Sequence, residues 1–262
     1  MKVHAHFQQK NGGDPTPEWQ EIRTGCITAS EFDQFCKADG TLRTGEMPKT
    51  YLAQKLFEKW TGRQKVPFFT QAVNNGIIVE EKAAAFASLE YGLDIQHVGF
   101  VSSDDDKWGC SPDGLIGFYD QVFSKTAATH YPNDNEGERH SGIEIKCPEL
   151  STHIKYLLDG KLPADYVAQV QGSMLVTGCS RWHFLSYPLA CYLDGFPPLH
   201  LVVERDEEFC ENLSDSLAKF LAQLEAAWIR LVEINGAPPP PRQKFMRYAE
   251  PPPHPETDDL TP

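Results

Sequence analysis

Apolar residues recur every three or four positions in several stretches of the chain, which is the spacing of one face of a helix. The longest stretch predicts an amphipathic helix over 207–232, with apolar positions at Leu213, Leu217, Phe220, Leu221, Leu224 and Trp228. Further helices are predicted at 51–60, 75–91 and 165–176. Thr28 and Glu31 have capping-box spacing, which predicts another helix from Thr28 to about residue 37.

Shorter apolar runs lie between these helices and predict strands. They cover 95–101, 107–117, 142–147, 181–187 and 199–204. The second run is interrupted by Ser111-Pro112-Asp113-Gly114, which has the composition of a turn. Because a helix separates some of the strands, the pattern predicts a mixed α/β domain.

Proline and polar residues mark the expected limits of this domain. Nine of the 20 prolines lie between Pro238 and Pro262, a composition that neither continues a helix nor fills a core. We therefore expect a folded domain over 1–236 and a Pro-rich acidic tail over 237–262. A polar run between apolar segments predicts a surface insertion at about 119–141.

Charge and cysteine content argue against several classes of protein. The 24 basic and 37 acidic residues give a net charge of -13, whereas a protein that coats nucleic acid needs clustered Lys and Arg. No apolar stretch approaches the roughly 18 residues of a membrane span, and the N-terminus lacks the pattern of a secretory signal. The seven cysteines include no C-x-x-C pair and are expected to be reduced. We expect a cytoplasmic protein that does not enter a membrane.

Three charged residues in the predicted strands indicate chemistry. Glu144 and Lys146 are two positions apart on one strand, so their side chains point to the same face. Taken alone, this pair is typical of a salt bridge on a solvated face, and Asp113 is typical of a turn carboxylate that caps its own backbone. Together, two carboxylates and one ammonium on neighbouring strands indicate a metal-dependent phosphodiesterase, because Mg²⁺ binds oxygen ligands and phosphate oxygens together.

Six short motifs around these residues resemble a known family. In chain order they are Arg23-Thr-Gly-Cys-Ile-Thr-Ala-Ser30-Glu31, Gly76-x-x-x-Glu80, Cys110-Ser-Pro-Asp-Gly-Leu115, Glu144-x-Lys-Cys-Pro148, Ala168-Gln-Val-Gln171 and Val202-Val-Glu-Arg-Asp206. The set resembles the phage lambda exonuclease family, also called YqaJ-type viral recombinases, within the PD-(D/E)xK nuclease superfamily. The motifs stand in family order from about residue 17 to residue 232.

The resemblance implies a PD-(D/E)xK, restriction-endonuclease-like α/β core, with a central mixed sheet flanked by helices. It also implies a Mg²⁺-dependent exonuclease that degrades one strand of linear double-stranded DNA from 5' to 3'. The remaining 3' single-stranded overhangs would serve recombination by strand annealing. The family further implies a pair of Mg²⁺ ions that Mn²⁺ replaces, a homotrimeric ring around DNA, a single-strand annealing protein as partner, and a phage or prophage origin in a bacterial cell.

The same resemblance implies roles for individual residues. The metal ligands would be Asp113, Glu144, the backbone carbonyl of Ile145 and, for a second ion, Glu80. Lys146 would be the catalytic lysine, and Gln169 would contact the reacting end. The terminal 5'-phosphate would be held by Arg23, Ser30 and Ser111, and Val73 stands where the family has an apolar wedge that separates the end base pair. A guanidinium and a helix N-terminus are both suited to a phosphate.

Two other functions would use the same residues. A structure-specific or restriction-type endonuclease would share the metal core, and a catalytically inactive scaffold would bind DNA ends without cutting them. A degenerate member is expected to lose at least one residue of the set Glu80, Asp113, Glu144 and Lys146, and all four are present. An intact circular duplex distinguishes the two activities. An endonuclease would cut it, whereas an exonuclease that needs an end would leave it intact.

Overall fold

Four stretches of the chain define the fold. The computed structural model describes residues 1–4, 17–64, 71–117 and 140–238, and of residues 17 and 71–78 it describes the backbone alone. The predicted insertion at 119–141 and the predicted tail at 237–262 lie almost wholly outside these residues, so both stay predictions.

Within these stretches the chain forms seven α-helices. They are α1 Pro17–Arg23, α2 Glu46–Thr61, α3 Gln71–Glu90, α4 Leu150–Asp159, α5 Ala164–Thr177, α6 Leu189–Asp194 and α7 Glu207–Asn235. A 3₁₀ helix, Ala29–Gln34, lies between α1 and α2. None of these helices combines the length and the hydrophobicity that a membrane span requires.

Nine strands in the same stretches form two sheets. They are β1 Lys2–His4, β2 Ile27–Thr28, β3 Ile95–Gln96, β4 Phe100–Ser102, β5 Trp108–Cys110, β6 Gly114–Ile116, β7 Ser141–Lys146, β8 Arg181–Ser186 and β9 Leu199–Glu204. The smaller sheet has the order β1-β4-β5-β2, and the larger has the order β3-β6-β7-β8-β9. In the larger sheet β7 and β8 run parallel and the other neighbours run antiparallel, so it is the mixed sheet that was expected.

Helices cover both faces of the larger sheet. Ile143 and Ile145 of β7 point to one side, where they pack with residues of α3 and α6. Trp182 and Phe184 of β8 point to the other side and join the larger core with residues of α5 and α7. Because Glu144 is paired with Phe184 in the register, its side chain lies on the α5 side.

Capping groups set the ends of two long helices. The carboxylate of Asp206 accepts a hydrogen bond from the amide of Phe209 at 3.0 Å, which begins α7. α2 ends at Gly62, whose φ of 65° is left-handed and whose amide donates to the carbonyl of Glu58 at 2.9 Å. The apolar spacing predicted both helices, although α2 begins earlier than expected, at Glu46.

The helix predicted after Thr28 is wrong in type and in length. It is a 3₁₀ segment that ends at Gln34, after which Cys36 pairs with Leu42 in an isolated antiparallel bridge. The capping box does not form, because the hydroxyl of Thr28 donates to the carboxylate of Glu31 at 2.9 Å and caps no backbone amide. Two side chains that bond to each other leave the helix end without its cap.

The predicted strand at 95–101 is also wrong, because it is two strands, β3 and β4, that belong to different sheets. β5 and β6 divide between the same two sheets at the predicted Ser-Pro-Asp-Gly turn. Five elements were not predicted, namely α1, α4, α6, β1 and β2. They have 7, 10, 6, 3 and 2 residues, which is short for a periodic pattern to identify.

Candidate active site

A bend between β5 and β6 brings Asp113 next to the central strand of the larger sheet. β6 pairs with β7 from Gly114 opposite Ile143, and Asp113 precedes the first residue of this pairing. The carboxylate of Asp113 turns onto β7 and accepts a hydrogen bond from the amide of Ile145, with 2.6 Å between N and Oδ2. The turn therefore places this carboxylate directly before the start of β6, beside Glu144.

The backbone of Ile145 faces the side of β7 where the pairing with β6 stops. Continued by two residues, the antiparallel register would place Pro112 opposite Ile145, and proline has no amide hydrogen to donate. In an antiparallel ladder the N–H and C=O of one residue point to the same neighbouring strand. Since the amide of Ile145 points to Asp113, its carbonyl points to that side too, where Pro112 offers it no donor.

Glu144 and Lys146 lie on the face of β7 that α5 covers. Their side chains form an ion pair, with 2.5 Å between Nζ and Oε1. The same oxygen accepts a hydrogen bond from Nε2 of Gln169, on α5, at 2.6 Å. The side chain of Glu144 is 4% exposed and that of Lys146 is 25% exposed. The strand alternation predicted the shared face, and the alternative of a salt bridge on a solvated face is wrong because the carboxylate is buried.

Burial and neighbouring charges shift both ionisable groups of this pair. Burial raises the pKa of Glu144 to about 7 against the lowering effect of Lys146, and Asp113 adds to the rise. Burial lowers the pKa of Lys146, but the carboxylates of Glu144 and Asp113 outweigh it, so this pKa lies above its ordinary value. Lys146 is therefore an ammonium at neutral pH, and the buried charge of Glu144 favours a further cation beside it.

Tyr166, on α5, packs against the catalytic lysine candidate. Nζ of Lys146 lies 5.0 Å from the centroid of the Tyr166 ring, within the range of a cation–π contact. The ring also packs on Phe184 at 5.4 Å and meets the ring of Tyr156 edge-on at 6.3 Å. Sequence reasoning missed Tyr166, although it precedes Gln169 by three positions on a predicted helix and so shares its face.

Glu80 approaches β7 from the opposite face. It lies partly buried on α3, a helix that packs against β7. Burial, then the charge of Glu80, then that of Asp113 raise the pKa of the Cys147 thiol to about 12. The two carboxylates therefore act on the same point just beyond the end of β7. A role of Glu80 at a second metal ion stays a prediction.

The oxygen donors suit a hard cation that keeps part of its water. Among the described residues, no three His, Cys, Asp or Glu side chains converge as metal ligands. Mg²⁺ is commonly held by one or two carboxylates and several waters, and Asp113, Glu144 and the carbonyl of Ile145 provide such a set. These residues fit Mg²⁺ or Mn²⁺ and do not form the closed four-ligand cage of structural zinc.

A second polar site, at Arg23, adjoins Asp113 through Ser111, which precedes Asp113 by two positions. Arg23, at the end of α1, donates to the hydroxyl of Ser111, with 2.6 Å between Nη1 and Oγ. Its guanidinium lies over Trp19, 4.3 Å from the ring centroid. Burial lowers the pKa of Arg23, and Glu31 is the strongest charge acting against that shift. The structure thus joins two of the three residues predicted to bind the 5'-phosphate.

The structure says less about the third of these residues, Ser30, and about the predicted wedge, Val73. Ser30 is exposed in the 3₁₀ helix, and its hydroxyl lies 3.2 Å from that of Thr28. The side chain of Val73 lies outside the described residues, so its role stays a prediction.

Comparison with known proteins assigns the chain to a family. The YqaJ-like viral recombinase domain matches residues 18–180, which is more than half of the chain. The chain belongs to this family. ExoD, a protein of Escherichia coli (strain K12), is 30% identical to it over 84 residues, which make up 31% of this chain and 91% of ExoD. The family resemblance drawn from the motifs is therefore confirmed.

Solved structures extend the likeness of this YqaJ-family chain. An alkaline exonuclease from Laribacter hongkongensis is 29% identical, with a TM-score of 0.66 over 84% of this chain and 97% of that one, and its complex with dAMP has the same values. A phage-related exonuclease from Haemophilus somnus 129PT, 15% identical with a TM-score of 0.54 over 80% and 96% of the two chains, shares the fold. The predicted fold class is confirmed, and the matches together support a nuclease of the lambda exonuclease family.

Proposed function

We propose that this YqaJ-family nuclease is a Mg²⁺-dependent exonuclease that degrades one strand of linear double-stranded DNA from 5' to 3'. It leaves 3' single-stranded overhangs for recombination by strand annealing. The observation that carries the proposal is the meeting of Asp113, Glu144 and Lys146 where the pairing of β6 with β7 begins. Two carboxylates and one ammonium at one point suit metal-assisted hydrolysis of a phosphodiester. The likeness to the Laribacter alkaline exonuclease supports the same class of reaction.

The ligands of the proposed metal site are oriented by the protein itself. Asp113, Glu144 and the carbonyl of Ile145 would hold the first ion, and Glu80 would contribute to a second. The hydrogen bond from the Ile145 amide fixes the Asp113 carboxylate against the strand before any cation binds. When bound, Mg²⁺ supplies an activated water and offsets charge on the phosphate oxygens.

Lys146 supplies positive charge where the transition state becomes more negative. As the water oxygen joins phosphorus and the bond to the 3'-oxygen breaks, the ammonium stabilises charge on the phosphate oxygens. Glu144 and the ring of Tyr166 restrict the orientation of this ammonium. Gln169 holds the Glu144 carboxylate, and by its place in the family motif we propose that it also contacts the reacting end.

The pocket at Arg23 would receive the terminal 5'-phosphate. A guanidinium beside a hydroxyl is a suitable pair for a phosphate, and Arg23 and Ser111 form one, to which we add Ser30 by its place in the family motif. Each cut leaves a 5'-phosphate on the next nucleotide, so the same pocket is used after every step. The dAMP complex of the Laribacter enzyme supports a nucleotide site in this fold, and we assign Val73 the part of the wedge.

The net charge of -13 supports a homotrimeric ring. Because the chain as a whole repels DNA, basic side chains from several subunits would be needed to line one channel. We also propose a single-strand annealing protein as partner, substitution of Mn²⁺ for Mg²⁺, and action in the cytoplasm of a bacterial cell that carries a phage or prophage.

Linear duplex DNA labelled at the 5' or at the 3' end of one strand tests the proposed activity. With Mg²⁺ we expect the 5' label to be released first, as mononucleotides, while the 3' label stays on a long strand. EDTA should stop the reaction. Release of the 3' label first, or hydrolysis that continues in EDTA, contradicts the proposal.

Two controls address the alternatives. An intact circular duplex should stay uncut, whereas linearised circles would indicate a structure-specific or restriction-type endonuclease. Binding of DNA ends in Mg²⁺ without any hydrolysis would indicate a catalytically inactive end-binding scaffold.

A further inference from the structure

A buried lysine on α2, Lys55, joins two carboxylates near the Arg23 pocket. Its side chain is 3% exposed, and Nζ lies 2.9 Å from Oε2 of Glu31 and 3.0 Å from Oε2 of Glu58. Burial of an ammonium requires partners of opposite charge, and both carboxylates lie at ion-pair distance. The reaction proposed above does not use this lysine.

The same two carboxylates hold the segment between α1 and the 3₁₀ helix. Glu31 also accepts a hydrogen bond from Oγ1 of Thr28 at 2.9 Å and one from the hydroxyl of Tyr51 at 3.1 Å. Glu58 accepts one from the amide of Gly25 at 3.3 Å. The segment that follows the Arg23 pocket is therefore anchored to α2 at both of its ends.

Arg23 and Lys55 share Glu31 as a source of negative charge. Among the charges around Arg23, that of Glu31 acts most strongly to keep the guanidinium protonated. In the described part of the chain, however, the ion pair of Glu31 is with Lys55. Arg23 instead donates to the hydroxyl of Ser111.

A carboxylate and a phosphate compete for the same guanidinium, because both accept its planar pair of donors. Two cations, Arg23 and Lys55, lie with two anions, Glu31 and Glu58, so the group is neutral before DNA binds. Without Lys55, the partly buried charge of Glu31 would act on Arg23 without a competing cation. A guanidinium that turns to Glu31 no longer offers its full charge to a phosphate.

We propose that Lys55 is a positioning residue for recognition of the DNA 5'-phosphate, because it neutralises Glu31 and so keeps Arg23 available to the phosphate. This inference rests on the proposed function, since it requires a terminal phosphate at Arg23. Lys55 is buried. It therefore acts on the phosphate through the side chains of Glu31 and Arg23. Its effect is on the choice between 5'-phosphate and 5'-hydroxyl ends.

The test measures kcat/KM on linear duplexes with either end, and the phosphate preference is the ratio of the two values. Lys55→Met is expected to lower this preference about tenfold, towards that of Arg23→Ala. Lys59→Met is the matched control, because Lys59 lies on the same helix, is 39% exposed and pairs with Glu225 at 3.6 Å. This control should keep the wild-type preference. A wild-type preference in Lys55→Met overturns the proposal.

A second substitution separates positioning from folding. In the double variant Glu31→Gln with Lys55→Met the charge that acts most strongly on Arg23 is absent and only the weaker one of Glu58 remains, so the preference should return to within about threefold of the wild type. A double variant whose phosphate preference is as low as that of Lys55→Met overturns the proposal. If the lysine were merely structural, removing Glu31 would not restore the preference. Should Lys55→Met not fold, Glu31→Gln alone retains the pair of Lys55 with Glu58 and should keep or raise the preference. A fall to the level of Arg23→Ala then overturns the proposal.

The outcomes distinguish this inference from the proposed function. A wild-type protein that cuts both kinds of end equally overturns the phosphate pocket and this inference together. A wild type that prefers the phosphate, loses the preference in Arg23→Ala and keeps it in Lys55→Met overturns this inference alone.

Discussion

Two lysines of this nuclease each lie with two carboxylates, yet their surroundings differ. The Lys146 cluster consists of Lys146, Glu144 and Asp113, and the Lys55 cluster consists of Lys55, Glu31 and Glu58. The side chain of Lys146 is 25% exposed, whereas that of Lys55 is 3% exposed. The lysine of the first cluster is therefore open to a ligand. The lysine of the second lies in the interior with Glu58, and only Glu31 is partly exposed there.

The two clusters also differ in what their carboxylates hold. In the Lys55 cluster the amide of Gly25 and the hydroxyl of Tyr51 connect a loop to a helix. In the Lys146 cluster the amide of Ile145 orients Asp113 at the end of a strand, where Pro112 cannot continue the ladder. The same residue types therefore stabilise the interior when protein donors surround them, and form a ligand site where a strand pairing ends.

The largest expected difference between the clusters is in turnover. Lys146→Ala should lower single-turnover hydrolysis of a 5'-phosphorylated linear duplex by about 10²- to 10³-fold, because the phosphate oxygens lose a charge that stabilises them. Lys155→Ala, which removes an exposed lysine on α4, is the control and should act as the wild type. Full activity in Lys146→Ala would remove this lysine from the mechanism.

For stability, the larger effect is expected at Lys55 and the smaller at Lys146. Lys55→Met leaves two carboxylates, the buried Glu58 and the partly exposed Glu31, without their cation and should lower the free energy of unfolding by about 3 kcal/mol. Lys146→Met should cost less, because that side chain is partly exposed and Glu144, with a pKa of about 7, can take up a proton instead. Urea unfolding in EDTA at neutral pH measures both values. Equal losses would contradict the division into an interior cluster and a ligand site.

Local patterns were sufficient to predict most of the Lys146 cluster. Glu144 and Lys146 share a face because strand side chains alternate, and Asp113 lies in a turn that its neighbours specify. The Lys55 cluster could not be predicted in this way. Lys55 and Glu58 have the i, i+3 spacing of a solvated helix pair, and no local pattern indicates that Glu31 packs against them.

Long-range packing also explains what else the sequence did not reveal. A Cβ at Gly142 would lie 2.2 Å from the ring of Trp182, so the packing of this ring over the neighbouring strand requires a glycine there. Nothing near Gly142 in the sequence indicates that contact. In the same way, the apolar run at 95–101 identifies extended chain but not the two sheets that share it.

The carboxylates of the two clusters should differ in their effect on metal affinity. Asp113→Asn keeps an oxygen that can accept from the Ile145 amide but loses its charge, so Mg²⁺ affinity should fall about 10- to 100-fold. Glu31→Gln should leave this affinity unchanged. Calorimetric titration with Mg²⁺ and with Mn²⁺ measures both variants. If Glu31→Gln weakened binding as much as Asp113→Asn, the metal would not be confined to the Lys146 cluster.

The smallest expected effects come from the neutral donor in each cluster. Tyr51 donates to Glu31 at 3.1 Å, and Gln169 donates to Glu144 at 2.6 Å. Tyr51→Phe should lower the free energy of unfolding by about 1.5 kcal/mol, since it removes a hydrogen bond to a charged group, and should not change turnover at saturating DNA. Gln169→Leu should instead lower turnover about tenfold, because Glu144 loses the group that orients it. If Tyr51→Phe slowed turnover as much as Gln169→Leu, the Lys55 cluster would belong to the catalytic site, and the contrast between the two lysines would disappear.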